Sequence, residues 1–85
     1  MMITPELKES LDRYALLHCP TGDFLKAVLS NDLMTAMARA DMNNRYLMFD
    51  ICGYIYNELP RNCWGSRKVV EEWIQEGVDK RRAAE

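Results

Sequence analysis

The sequence predicts an all-α protein, a compact domain of four to five short helices around a central apolar helix at about residues 42–58. Three observations lead there. Apolar residues recur at i, i+3, i+4 and i+7 in successive segments, the spacing of a helix with one buried face. Helix-capping residues, prolines and glycines separate those segments. No stretch alternates apolar and polar residues over the length of a strand. The one β-rich run, Cys52 to Tyr56, lies inside a longer helical pattern.

The elements follow in order. Thr4 before Pro5 opens the first helix, a hydroxyl cap followed by proline where its missing N–H costs nothing. Leu7, Leu11, Tyr14, Ala15 and Leu17 form its inward stripe, and His18-Cys19-Pro20-Thr21-Gly22 ends it. A second helix starts near Gly22–Asp23 and turns Phe24, Leu25, Val28 and Leu29 inward. Ser30-Asn31-Asp32 interrupts the pattern. Asn31 is the expected cap of a third helix running to Ala40, with Asp32 in its first turn; it carries Leu33, Met34, Met37 and small alanines that let it pack closely against a neighbour.

Asp41 then caps the central helix, 42–58. Tyr46, Leu47, Met48, Phe49, Ile51, Cys52, Tyr54, Ile55 and Tyr56 point almost all the way round it. Such a helix is expected to be buried on nearly every side, or to turn a second face to another chain. Leu59-Pro60 stops it, because proline disfavours a helical residue before it. Arg61 to Gly65 is a turn. Ser66 caps the last helix, whose inward residues are Val69, Val70, Trp73 and Ile74 and whose expected stop is Gly77. The expected division is one domain over 1–78 and a frayed tail over 79–85.

Bulk properties restrict the function classes. The chain has 85 residues, 48% hydrophobic and 28% charged, which suits one folded domain rather than a disordered segment. The net charge of −2 argues against nucleic-acid binding through a general basic field. No run is long enough to span a membrane, and MMITPELKES has no signal-peptide core, so a cytoplasmic protein with no membrane contact is expected. Three cysteines, an odd number, suit free thiols in a reducing compartment. His18, Cys19 and Cys63 lack the paired spacing of a zinc site, and neither a metal nor a cofactor is expected.

Four groups invite a chemical reading. Asn43, Asp50 and Asn57 recur every seven residues and draw one polar line along the central helix, with Gly53 near it. This is either a shallow groove flanked by Tyr46 and Tyr54 or a solvated edge. Asn31, Asp32, Arg39, Asp41 and Asn44 read as caps at the helix junctions, and the competing reading pairs Asp32 with Asp41 as catalytic carboxylates. Cys63 lies near a helix cap, where a thiol can become nucleophilic, but the only histidine, His18, is in another loop. Trp64 is either a plug on the core or an exposed anchor for a partner. Arg67 and Lys68, in a helix first turn, form with Arg61 and Lys80-Arg81-Arg82 a local anion patch or plain solvated surface. Phosphate-binding glycine loops, a G-x-S-x-G elbow and H-E-x-x-H do not occur.

P-T-G-D-F-L-K-A-V-L-S-N-D-L at Pro20–Leu33, R-A-D-M-N-N at Arg39–Asn44, Y-N-E-L-P at Tyr56–Pro60 and C-W-G-S at Cys63–Ser66, followed by Val70 and Trp73, resemble a family of small proteins encoded in phage and prophage genomes. That family commonly has glycine where this chain has Asp23 and proline where it has Arg67; a loop and a first helical turn tolerate both changes. The resemblance implies a setting, a phage accessory protein, and no mechanism. The expected function is therefore a non-catalytic binding protein, not an enzyme, that modulates or inhibits a host protein or defence system. The alternative is a small oligomer that captures an anionic ligand such as a nucleotide. Candidate binding residues are Tyr46, Asp50, Tyr54, Trp64, Arg67 and Lys68, no catalytic or metal-binding residue is assigned, and self-association as a homodimer is expected.

Overall fold

Six α-helices and one 3-10 turn make up the computed structural model, which describes residues 3–84; among them there is no strand. The helices are α1 (Pro5–Leu17), α2 (Asp23–Leu29), α3 (Leu33–Arg39), α4 (Met42–Tyr46), α5 (Met48–Glu58) and α6 (Arg67–Ala83), with the 3-10 turn at Arg61–Cys63. The all-α expectation is met, with one more helix than expected. The segment 42–58 divides at Leu47, whose backbone (φ −91°, ψ 2°) falls outside the helical region. Hydrogen bonds still cross the division, Leu47 N–H to Asn43 O and Ile51 N–H to Leu47 O, so the axis bends rather than breaks. Leu47 packs against the core from this bend. No proline or glycine marks it in the sequence.

Capping sets the helix starts. Thr4, Asp41 and Ser66 accept from the amides of Leu7, Asn44 and Val69, as their side-chain chemistry dictates. The third cap differs from the expectation. Asp32, not Asn31, accepts from the Thr35 amide, while Asn31 takes the left-handed turn before it (φ 60°). Asparagine tolerates that conformation better than most residues. His18 does the same at the end of α1 (φ 58°). Gly65, at φ 125°, closes the last loop and donates its amide to Leu29 O at 2.8 Å, which ties the loop to α2.

The core joins α1, α2, α5 and α6. Leu11, Tyr14, Leu25, Leu29, Ile51, Ile55, Leu59, Cys63 and Val70 are its buried members. α3 contributes little, because only Ala36 is buried on it and Leu33, Met34 and Met37 face solvent. Leu17 is likewise exposed. Leu17 was expected on the inward stripe of α1. α6 also runs past Gly77 to Ala83, with Lys80, Arg81 and Arg82 in its last turn, where cations suit the helix dipole.

α1 and α6 are locked by three groups. Trp73 Nε1–H donates to Tyr14 O at 2.8 Å. The His18 ring stacks on the Trp73 ring, centroids 4.0 Å apart, and its Nδ1 lies 2.7 Å from Trp73 O. A carbonyl only accepts, so Nδ1 carries the proton in this contact. Gly77 makes the approach feasible: a Cβ there would sit 2.4 Å from His18 Cβ and 3.0 Å from His18 O. Gly77 is thus a contact residue, not a helix stop.

Burial pushes the Cys63 thiol up to about 11, and burial, followed by the neighbouring Cys63, raises the Tyr14 phenol as well. Both groups fold in their neutral forms. The stability they supply is complete below the unfolded thiol value near 9 and is lost as pH rises through about 11. Chemical denaturation midpoints are therefore expected to fall between pH 9 and 11. A Cys63→Ala variant should show a shallower fall over that window.

Candidate functional site

The six candidate binding residues lie in separate surroundings. Tyr54 reaches from α5 to α1: its hydroxyl donates to Asp12 Oδ1, and Lys8 Nζ holds the other carboxylate oxygen at 2.8 Å. Lys8 first and Tyr54 second keep the Asp12 carboxyl below the ordinary carboxylate range. Burial, followed by Asp12, raises the Tyr54 phenol. Its polar end is engaged, so Tyr54 is a brace between α5 and α1. Asp50 is half-buried on α5. Lys68 is exposed, within 3.9 Å of Glu72 one turn on.

Trp64 packs partly against the core and partly into a surface cluster. The Arg61 guanidinium lies 4.2 Å from its ring centroid and donates to Trp64 O at 3.1 Å. Tyr56 is tilted against it at 6.0 Å. Its indole N–H is buried without an acceptor among the described residues. A buried donor left unpaired costs about 1–3 kcal/mol. Trp64→Phe removes that donor while keeping an aromatic face for Arg61. Its thermal midpoint is expected to match or exceed the parent's despite the smaller ring, whereas Trp64→Ala should lower it. A calorimetric comparison of the two variants checks this.

Arg67 enters a polar cavity of about 360 Å³ between α2, α3 and the start of α6. Lys26, Arg39 and Arg67 bring three cations to it, Asp23 and Asp32 two carboxylates, and Ser30 and Thr35 hydroxyls. Arg39 lies 3.8 Å from Asp23, and Arg67 3.7 Å from Glu71, so both cations are already partly engaged. Asp32 is spent as the cap of α3. A second concavity, about 420 Å³, is lined by α1 alone.

An exposed apolar feature lies on α4–α5. Met42, Tyr46, Phe49 and Tyr56 are 67%, 84%, 86% and 74% exposed. With Gly53 they repeat at intervals of four, three, four and three, one stripe on the side of α4–α5 away from buried Ile51 and Ile55. Of the two expectations for the central helix, burial on nearly every side is not met: one side meets the core and the other meets solvent. Of the six candidates only Tyr46 lies on this stripe. Tyr56 links it to Trp64. Leu33 on α3 shares a small cleft with Met48 and Cys52 of α5, which brings exposed Leu33 beside Gly53's neighbour on the stripe's edge.

Reading the sequence did not single out Phe49 or Tyr56 as surface groups. The signal was present as excess apolarity, which fits a buried helix and an interface helix equally. Asn43 and Asn57 of the polar line are exposed beside the stripe. Cys63 is fully buried with a raised thiol, the opposite of an activated nucleophile.

Comparison with protein-family models, curated proteins and solved structures gives no match. Among the described residues no helix is long and apolar enough to cross a membrane, and no cluster of three or more His, Cys, Asp or Glu is placed to hold a metal ion.

Proposed function

We propose that this protein is a non-catalytic accessory protein that acts by binding, and that in a phage setting it modulates or inhibits a host protein or defence complex. The observation that supports this most is the uncovered aromatic stripe on α4–α5. Soluble monomers seldom leave more than a few hundred Å² of contiguous apolar surface open unless a partner uses it. Aromatic residues at the centre of such a patch are the usual anchors of protein interfaces. The test is cross-linking of the protein expressed in its bacterial host, followed by identification of the linked peptides. Links from α4–α5 to one host protein, lost on Phe49→Glu, support the reading. Links that survive Phe49→Glu and Tyr56→Glu would sink it.

A second reading is capture of an anionic ligand such as a nucleotide, favoured by the convergence of Lys26, Arg39 and Arg67 on one cavity beside the start of α6. Each cation there can form a charge-assisted bond to phosphate. The competing carboxylates make this the weaker case. A nucleotide panel should raise the melting temperature of the parent but not of Arg67→Glu, and a flat response across the panel removes the reading.

A further inference from the structure

The aromatic stripe has the properties of a self-complementary surface, and we infer that its occupant in the isolated protein is a second copy of this chain, packed α5 against α5 across a two-fold axis beside Gly53. The inference rests on the reading of the stripe as an interface and names what covers it.

Area is the first argument. Tyr46, Phe49 and Tyr56 expose on the order of 500 Å² between them, taking an aromatic side chain as roughly 200 Å². Met42 and the adjoining Leu33, 67% and 61% exposed, add on the order of 200 Å². The sum is close to the roughly 800 Å² per partner of a standard specific interface. A patch of that size suits a folded copy better than a short peptide.

Symmetry is the second. A two-fold interface uses the same patch twice, so groups must be arranged evenly about its centre. Phe49 and Tyr56 lie equally far in sequence on either side of the Cys52–Gly53 midpoint. With two copies antiparallel, each Phe49 meets the partner's Tyr56, and the helix dipoles oppose one another favourably. Gly53, on the stripe and without a side chain, lets the two backbones approach where the helices cross. The four-three spacing is the seam of helices packed side by side.

The rim is the third. The stripe itself carries no charged residue, while exposed Asn43 and Asn57 and half-buried Asp50 run beside it. An apolar centre with a polar edge is the layout of a specific interface. A charge placed in the centre would be desolvated without a partner.

Sedimentation equilibrium of the full chain, over a concentration series, tests this. The parent is expected to dimerise. Phe49→Glu should weaken the dimer by roughly a hundredfold, the loss of a central anchor, with an unchanged melting profile for the monomer because Phe49 makes little contact within the fold. In a Cys19→Ser background, a short bis-maleimide should link exposed Cys52 to the partner's Cys52, both near the axis, while buried Cys63 stays unlabelled. A parent that stays monomeric at its highest soluble concentration overturns the inference. So does a dimer that Phe49→Glu and Tyr56→Glu leave intact. A monomer whose host cross-links still vanish on Phe49→Glu overturns self-association alone and leaves the accessory-protein reading standing. A stripe-dependent dimer whose host cross-links ignore Phe49→Glu has the reverse effect.

Discussion

Gly77→Ala is expected to destabilise the fold by about 2 kcal/mol, within the usual 1–3 kcal/mol of overpacking a tight contact. The direction is not obvious from sequence. Replacing a mid-helix glycine by alanine ordinarily gains about 1 kcal/mol of helix propensity. Here the new methyl group meets His18 at its Cβ and at its carbonyl oxygen, atoms that cannot rotate aside as the tip of a long side chain does. His18 is itself fixed in a left-handed conformation, stacked on Trp73 and bonded to Trp73 O. Relief requires α1 and α6 to separate, which loosens the Trp73–Tyr14 bond as well. For a domain of this size the loss corresponds to a fall of roughly 8–16 °C in melting temperature. Urea titration of the two proteins measures it. An unchanged or higher midpoint would show that the α1–α6 contact is looser than described.

Tyr14 carries the second large effect. It is fully buried, and its hydroxyl donates to Cys63 O at 2.7 Å across the core. Tyr14→Phe keeps the ring and orphans the carbonyl, so about 1–3 kcal/mol should be lost. Tyr14→Ala removes the ring too and adds a cavity, for about 3–5 kcal/mol in total. Small domains hold only about 5–15 kcal/mol altogether, so the alanine variant is expected to be largely unfolded on modest warming or in low urea. The pair separates bond from packing. Equal losses in the two variants would mean the hydroxyl contact, not the ring, holds the 3-10 turn to α1.

Much of the fold was legible because local chemistry decides it. Thr4-Pro5, Asp41, Leu59-Pro60 and Ser66 act within one turn of themselves, and each does what its neighbours in sequence require. Long-range decisions were not legible. Nothing near Gly77 in sequence announces that His18 presses on it, and the bend at Leu47 has no local breaker. Asn31 and Asp32 are both competent caps, and only the turn between α2 and α3 assigns their roles. The site was read least well for the same reason. Tyr54 and Phe49 look alike along a strongly apolar helix, yet α1 supplies Asp12 for one and nothing among the described residues covers the other.

The thin anchoring of α3 and α4 has a further consequence. These two helices are seven and five residues long, far too short to persist alone in water, and they place only Ala36 and, just beyond α3, Ala40 inside. Peeling residues 33–46 away is therefore expected to need a small fraction of the free energy that unfolds α1, α2, α5 and α6. The molecule is a firm four-helix frame, α1, α2, α5 and α6, with a compliant flap. The flap borders the stripe, and its last five residues include two stripe positions, Met42 and Tyr46. Whatever docks there meets a surface that can adjust its outline at little energetic cost while the frame beneath holds still.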